Sequence, residues 1–538
     1  MACFVIFRAK NICTLEVPMA KDDDFTCRPL DENDLCVEKS IALPVVLVLL
    51  LVSLPAIFFS AEMEAFLKGI VNPLNKALGS SFLWLVTIFV FMLIYFAISK
   101  YGDIKFGDPD EKPEFPLGSW AAMIFTSGVA GACMFWAIVE PSWYLVTPPM
   151  NAAPESVEAY NLSLSFLLLN WGPTAWSSYF ICALPICYMF HIRRQPLLRV
   201  SAASEIVIGE RKDKFLGRFL DCCFILGLMF CTTMTMCLSL PTVEATICKV
   251  TGFEPSLALQ GKILLTTIAI SAVSVYFGLK KGIKTVSDLN VLLAFALLIY
   301  VFLCGPTATL FDTFTNAVGR TANNFLTYIL WTDPFTDQTV PQDWTMFYAM
   351  NWLGYGPFMG LFIARISRGR TVREIVGCGL FFAVLGGYCM HGVLGSYTLY
   401  LSHNNIIDVT GILVKQGGAA LMAEVFDTLP FSTVVFIVYA MVSTIFLATS
   451  INSSCYIMAA TATKRIGVND DPNKYNLVMW ALLQGLLAFG ALTMGGLEVA
   501  KMLGKLAGIF ICIPVILLAY AWIKMLKGDK LDEVTDCR

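Results

Sequence analysis

Twelve apolar runs divide the chain, near residues 41–60, 80–99, 119–139, 163–190, 218–240, 260–279, 290–311, 344–364, 374–400, 432–460, 476–498 and 504–524. A helix of about 20 apolar residues crosses the hydrocarbon core of a bilayer, so the pattern predicts twelve transmembrane helices joined by polar loops, an all-α polytopic membrane protein. Segments 3 and 8 share an interruption by small or helix-breaking residues. Segment 3 reads FTSGVAGACMFW, with Gly128 and Gly131 among its small positions, and segment 8 carries Gly354, Gly356 and Pro357. Breaks at membrane depth are tolerated where they line a cavity or are buried in protein. Two five-span halves of opposite orientation follow, 119–311 and 344–524, preceded by a tail (1–40) and two peripheral spans with a linker (41–118). They are separated by an extracellular loop or interfacial helix over 312–343, and a short tail closes the chain at 525–538.

Charge sets the orientation. Arg193, Arg194, Arg199, Arg211, Lys212 and Lys214 follow segment 4; Lys280, Lys281 and Lys284 follow segment 6; Arg365, Arg368, Arg370 and Arg373 follow segment 8. The 147–162 loop has no lysine or arginine, and 312–343 has only Arg320. Basic loops stay on the cytoplasmic side, which places both termini inside a multi-pass protein, expected in the plasma membrane. Composition agrees: 57% of residues are hydrophobic and 14% charged. A net charge of −3 dispersed over loops gives no footprint for nucleic acid. The 18 cysteines are scattered without metal or redox spacing, and Asn161-Leu-Ser163 is a glycosylation sequon in a loop expected outside. An enzyme is excluded by the dispersed His191, His391 and His403 and by the lack of HExxH or GxSxG motifs.

Segment 4 carries candidate chemistry in NWGPTAWSSYF. On a continuous helix, Trp171 and Tyr179 lie about two turns apart with Trp176 beside them, an aromatic wall that Trp352 from segment 8 completes into a cage. Ring faces attract a desolvated cation by about 2 kcal/mol or more each, and a quaternary ammonium, which donates no hydrogen bond, suits such a cage. Glu140, at the outer end of segment 3, is a candidate for drawing a cationic substrate into the vestibule, with a hydrogen-bonded structural role as the alternative.

These residues bring a family into view. WTMFYAMNW followed by GPFMGLFIARISRGRTVRE, together with MFWAIVEPSWYLVTPP and NWGPTAWSSYF, closely resembles the betaine/choline/carnitine transporter family over segments 3 to 12. The resemblance implies a leucine-transporter-type 5+5 inverted-repeat core, a homotrimer, a small onium substrate and no cofactor beyond a coupling ion. It places Trp171, Trp176, Tyr179 and Trp352 in the substrate box, with Tyr355 close to the pathway. Asn351 stands where the family usually has a tryptophan, and Trp143 with Tyr144 are candidates to replace that ring.

For sodium, the resemblance implies Phe446, Thr449 and Ser450 in segment 10, with carbonyls near Thr126 and Val129. Asn290 lacks the arginine of ion-independent exchangers, which points to symport, whereas Met359 matches those exchangers. With Gly128, Gly131, Gly356 and Pro357, these two are the coupling and gating candidates. Sodium symport, sodium-independent exchange of carnitine-like compounds, proton coupling and a non-transporting onium receptor all stay open on these residues. The arginine loop after segment 8 is implied to be an interfacial helix and a subunit contact or a gate element, and not a substrate ligand.

Overall fold

The computed structural model describes residues 36–127, 131–194, 199–277, 280–336, 338–464, 466 and 471–528. The longer helices are α1 (Lys39–Phe58), α2 (Ser60–Ile98), α3 (Leu117–Ser127), α4 (Gly131–Val146), α5 (Val157–Asn170), α6 (Pro173–Cys187), α7 (Phe215–Thr251), α8 (Leu257–Phe277) and α9 (Lys280–Cys304). They continue as α10 (Thr307–Asn323), α11 (Met346–Ile366), α12 (Leu380–His403), α13 (Ser432–Thr461), α14 (Lys474–Met494) and α15 (Gly496–Gly528). Among the described residues there is no β-strand, only two isolated bridges, Val37 to Thr463 and Lys105 to Thr371.

Among the described residues, ten helical stretches are long and apolar enough to cross a membrane, counting 157–192 as one. The other two predicted segments fall on the short pair α3 and α4 and on α11. Burial sorts the ten. The apolar windows of 157–192 and α7 are 83% and 89% buried inside the protein, whereas those of α8 and the second part of α9 are 28% buried. Helices buried all round form the centre, and those with one exposed apolar side form the lipid-facing rim. The most extensive helix pairing joins α6 to α11, which brings the two aromatic-rich segments together.

Several expected boundaries are corrected. Helix α2 starts at Ser60, not near 80, because the polar residues after it still carry helix-forming Glu, Ala, Leu and Lys. The seventh span ends at Cys304, where Gly305-Pro306 stops it, and the next stretch forms the separate amphipathic helix α10. Segment 8 is not broken: α11 runs unbroken through Gly354, Gly356 and Pro357. Its glycines serve close packing instead. A Cβ at Gly354 would collide with Cys231 Sγ and sit 2.9 Å from Ala507 Cβ, and one at Gly356 would sit 3.0 Å from the Ser178 carbonyl. Segment 4, expected to be continuous, is the one that breaks, at Trp171-Gly172-Pro173 between α5 and α6. The segment 3 break at Gly128 and Val129 lies outside the described residues; Gly131 opens α4.

The arginine loop is helical only at its ends, where Arg365 belongs to α11 and Arg373 to the helical stretch from 372. Residues 367–371 form a turn whose side chains tie down the 100–116 stretch. The Arg370 guanidinium lies 4.3 Å from the Trp120 ring centroid and donates to the Phe115 carbonyl at 2.9 Å, and Arg368 pairs with Glu111 at 2.6 Å. The sequon sits inside α5 and not in a loop. Ser163 is fully buried and donates to the Ala159 carbonyl, while Asn161 Oδ1 accepts from Asn316 at 2.8 Å.

Candidate functional site

The break in segment 4 builds one wall. The break at Trp171-Gly172 ends α5 and leaves its last carbonyls without helical donors: that of Leu169, which Pro173 has no N–H to serve, accepts from Thr174 Oγ1 at 2.9 Å, and that of Asn170 takes the Trp352 indole at 2.8 Å. Gly172 is required there, since a Cβ would stand 2.6 Å from both the Leu168 carbonyl and the Tyr388 hydroxyl. The aromatic wall expected from helical spacing is therefore assembled differently. Trp171, released from the helix of Trp176 and Tyr179, meets Trp352 edge-to-face with ring centroids 4.8 Å apart at 74°. Tyr179 meets Trp352 at 6.2 Å and 85°, and Trp176 meets Tyr179 at 5.3 Å and 84°. Edge-to-face contacts hold rings at fixed angles.

These four rings border a cavity of about 220 Å³ with Asn351, Tyr355 and Met359. Tyr355 is held by its hydroxyl, which donates to the Cys231 carbonyl at 2.8 Å, with Thr235 Oγ1 also 2.8 Å away. Asn351 Oδ1 accepts from Cys231 Sγ at 3.7 Å. The implied ion residues Thr126, Phe446, Thr449 and Ser450 line the same cavity. Thr126 donates to the Ala122 carbonyl at 2.8 Å and Thr449 to the Ile445 carbonyl at 2.9 Å, so both anchor to their own helices. Hydroxyl oxygens so held are the hard donors a sodium ion takes.

Other candidates lie off the wall. Trp143 is not among the cavity residues and does not stand in for the ring that Asn351 lacks; Trp136, which sequence reasoning passed over, lines the cavity. Asn290 is buried behind it, donating to the Val442 carbonyl at 3.1 Å, while Ser287 and Val291 of the same helix reach the cavity. Gly356 and Pro357 are packing positions in α11 and not wall residues.

Of the two roles expected for Glu140, the structure supports the hydrogen-bonded one. It is fully buried and faces no vestibule. Its Oε1 accepts from the Tyr144 hydroxyl and the Asn170 amide, each at 2.9 Å, and its Oε2 from the Trp171 indole at 3.0 Å and the Tyr348 hydroxyl at 2.5 Å. Tyr348 in turn stacks on Trp352 at 5.5 Å and 16°. One carboxylate thus fixes Trp171 directly and Trp352 through Tyr348. His391 backs Trp171 from the other side, ring centroids 4.3 Å apart, with Nδ1 2.7 Å from the Gly387 carbonyl. The sequence shows Glu140 as an isolated acid in an apolar segment; Tyr144 stands at the i+4 position of its own helix, whereas Asn170, Trp171 and Tyr348 come from distant segments and have no signature in spacing.

Comparison with known proteins identifies the family. Residues 40–531 match BCCT, the betaine/carnitine/choline family transporter. The chain is similar to the uncharacterized transporter YeaV of Escherichia coli K12, 29% identical over 442 residues that cover 82% of this chain and 92% of that protein. It is similar also to a carnitine transporter of Acinetobacter baumannii, 27% identical over 449 residues, 82% of this chain and 81% of that one. A solved Na+-coupled sialic acid symporter in a substrate-bound outward-open state is a distant likeness, with a TM-score of 0.39 and 14% identity over 86% of this chain and 83% of that chain. The match spans nearly all of the described helices, and the chain belongs to the betaine/carnitine/choline transporter family, making it a multi-pass membrane transporter and not an enzyme.

Proposed function

We propose that the protein is a secondary active transporter of small quaternary ammonium compounds of the betaine, choline or carnitine type, coupled to sodium and working by alternating access. The observation that carries this reading is the single cavity bordered at once by the Trp171, Trp176, Tyr179 and Trp352 rings and by the Thr126, Thr449 and Ser450 oxygens. An onium head among the rings gains cation–π attraction without requiring an acceptor. A sodium ion on the hydroxyls beside it stabilises the occupied form, which links the two ligands thermodynamically. The carnitine transporter relative is in keeping with the substrate class.

On this reading the chain spans the plasma membrane twelve times, with α3 and α4 together as the third span and α11 as the eighth. A 5+5 inverted-repeat core rocks about the midplane site, both termini are cytoplasmic, and the protein assembles as a homotrimer. One observation favours a second reading. Met359 lines the cavity, and a thioether is a poor sodium ligand; sodium-independent exchange of carnitine-like compounds is the alternative.

Uptake of labelled choline, betaine and carnitine into proteoliposomes tests both, with an inward sodium gradient and with potassium in its place. Accumulation that needs sodium is expected. Equal uptake without sodium, stimulated by substrate loaded inside, establishes the exchanger.

A further inference from the structure

The cavity wall carries no Lys, Arg, His, Asp or Glu among the described residues. Several of its hydroxyls spend their hydrogen on their own helices. Thr126, Ser127 and Ser453 donate to carbonyls of their own helices, those of Ala122 at 2.8 Å, Ile124 at 2.5 Å and Thr449 at 2.8 Å. A hydroxyl whose hydrogen is spent in this way offers lone pairs, which suit a cation or a substrate O–H and not a substrate carboxylate.

Behind this neutral wall, one indole ring away, stands Glu140 with its four donors. An ionised carboxylate accepts all four together; the protonated acid has to turn one of them round. Lys501 lies 4.7 Å from the Trp344 ring centroid at this end of the site, but it pairs with Glu498 at 2.7 Å, and the neighbouring buried Lys505 faces Asp343 at 3.7 Å. The two cations are matched by two acids, which leaves the Glu140 charge to act on the cage.

We propose that Glu140 is a positioning residue that tunes the cage for substrates of net positive charge, an onium alcohol of the choline type in preference to a zwitterion such as betaine or carnitine. The inference rests on the onium reading above and narrows it. The carboxylate draws on the in-plane Trp171 N–H and so makes the ring's π faces more negative, strengthening their attraction for a cation. It adds a fixed negative potential that a net cation gains from and a zwitterion's carboxylate loses by. The wall offers that carboxylate only neutral donors in exchange for its lost water.

The test is binding to the purified full-length protein in sodium chloride, followed by tryptophan fluorescence. The probes are choline, glycine betaine and 3,3-dimethylbutan-1-ol, the uncharged carbon isostere of choline. Wild type is expected to bind choline about tenfold or more tighter than betaine, or ~1.4 kcal/mol. Glu140→Gln is expected to weaken choline about tenfold while leaving the isostere within about twofold, and Glu140→Asp to recover part of the loss.

Equal weakening of choline and isostere overturns the proposal, because a purely structural role damages the pocket for both. A wild-type preference for betaine overturns it too, with the onium reading left standing. No binding of any onium compound by wild type removes that reading as well. Should Glu140→Gln fail to fold, Tyr348→Phe removes one donor and keeps the charge; it must retain the choline-to-isostere ratio, and loss of that ratio counts against the idea.

Discussion

At the residue scale, Trp352 is the side chain on which the cage converges. It meets Trp171 and Tyr179 edge-to-face, stacks on Tyr348, and is pinned by its N–H to the Asn170 carbonyl. Trp352→Leu removes a ring worth about 2 kcal/mol to a desolvated onium group, so the Michaelis constant for uptake should rise roughly 30-fold. Trp143→Leu, off the wall, should leave it unchanged. Kinetics of labelled substrate uptake measure both, and unaltered values in the Trp352 variant would count against the cage. Trp171, Trp176, Tyr179 and Trp352 are legible in the chain because aromatic residues clustered in apolar segments stand out from aliphatic ones. The partners that orient them are not legible. Glu140 belongs to α4, Asn170 and Trp171 to the end of α5 and the turn after it, and Tyr348 to α11, so their network exists only once the helices pack.

At the scale of elements, glycine and proline carry two meanings that sequence alone does not separate. In Gly172-Pro173 they end one helix and begin another, and the freed carbonyl serves the site. In α11 the same residue types sit inside an unbroken helix, where Gly354 lets α7 and α15 approach. What decides between them is the neighbouring surface: α11 is gripped on one side by α6 and on others by α15 and α7, and that packing holds it straight across Pro357. Gly354→Ala should therefore lower stability by about 1–3 kcal/mol through overpacking against Cys231 and Ala507. Were Gly354 instead a hinge in an open stretch, alanine would raise helix propensity by about 1 kcal/mol and stabilise the protein. A thermal shift of the purified variant, downward or upward, separates the two. Gly172→Ala, at the true break, should cost stability and transport together.

For the whole molecule, the depth at which the cavity sits reports its state. Its lining extends along α11 from Asn351 to Met359 and along α13 from Phe446 to Ser453, that is, toward the end of the bundle that carries the arginine loop. Toward the opposite end, Tyr348, Trp344 and Tyr144 are buried, with Trp344 and Tyr144 rings 5.2 Å apart, and the Glu140 hydrogen bonds tie this plug together. On the proposed orientation, with the basic loops on the cytoplasmic side, this aromatic packing lies between the cavity and the outer face, and the cavity is expected to be approached from the cytoplasm. The proposed alternating access requires the Trp344, Tyr348 and Tyr144 packing to separate in the other state. Cysteine labelling checks this with two small substitutions, Ser453→Cys on the cavity wall and Ser142→Cys within the buried outer end of α4. Without substrate, a membrane-impermeant thiol reagent is expected to modify position 453 in inside-out vesicles and to leave position 142 unmodified in right-side-out vesicles, read by peptide mass. An onium substrate bound at the rings should slow labelling at 453, since it fills the same cavity. Labelling of 453 from the outside alone would reverse the assigned orientation, and labelling of 142 at a comparable rate from outside would mean that the aromatic plug does not seal the path.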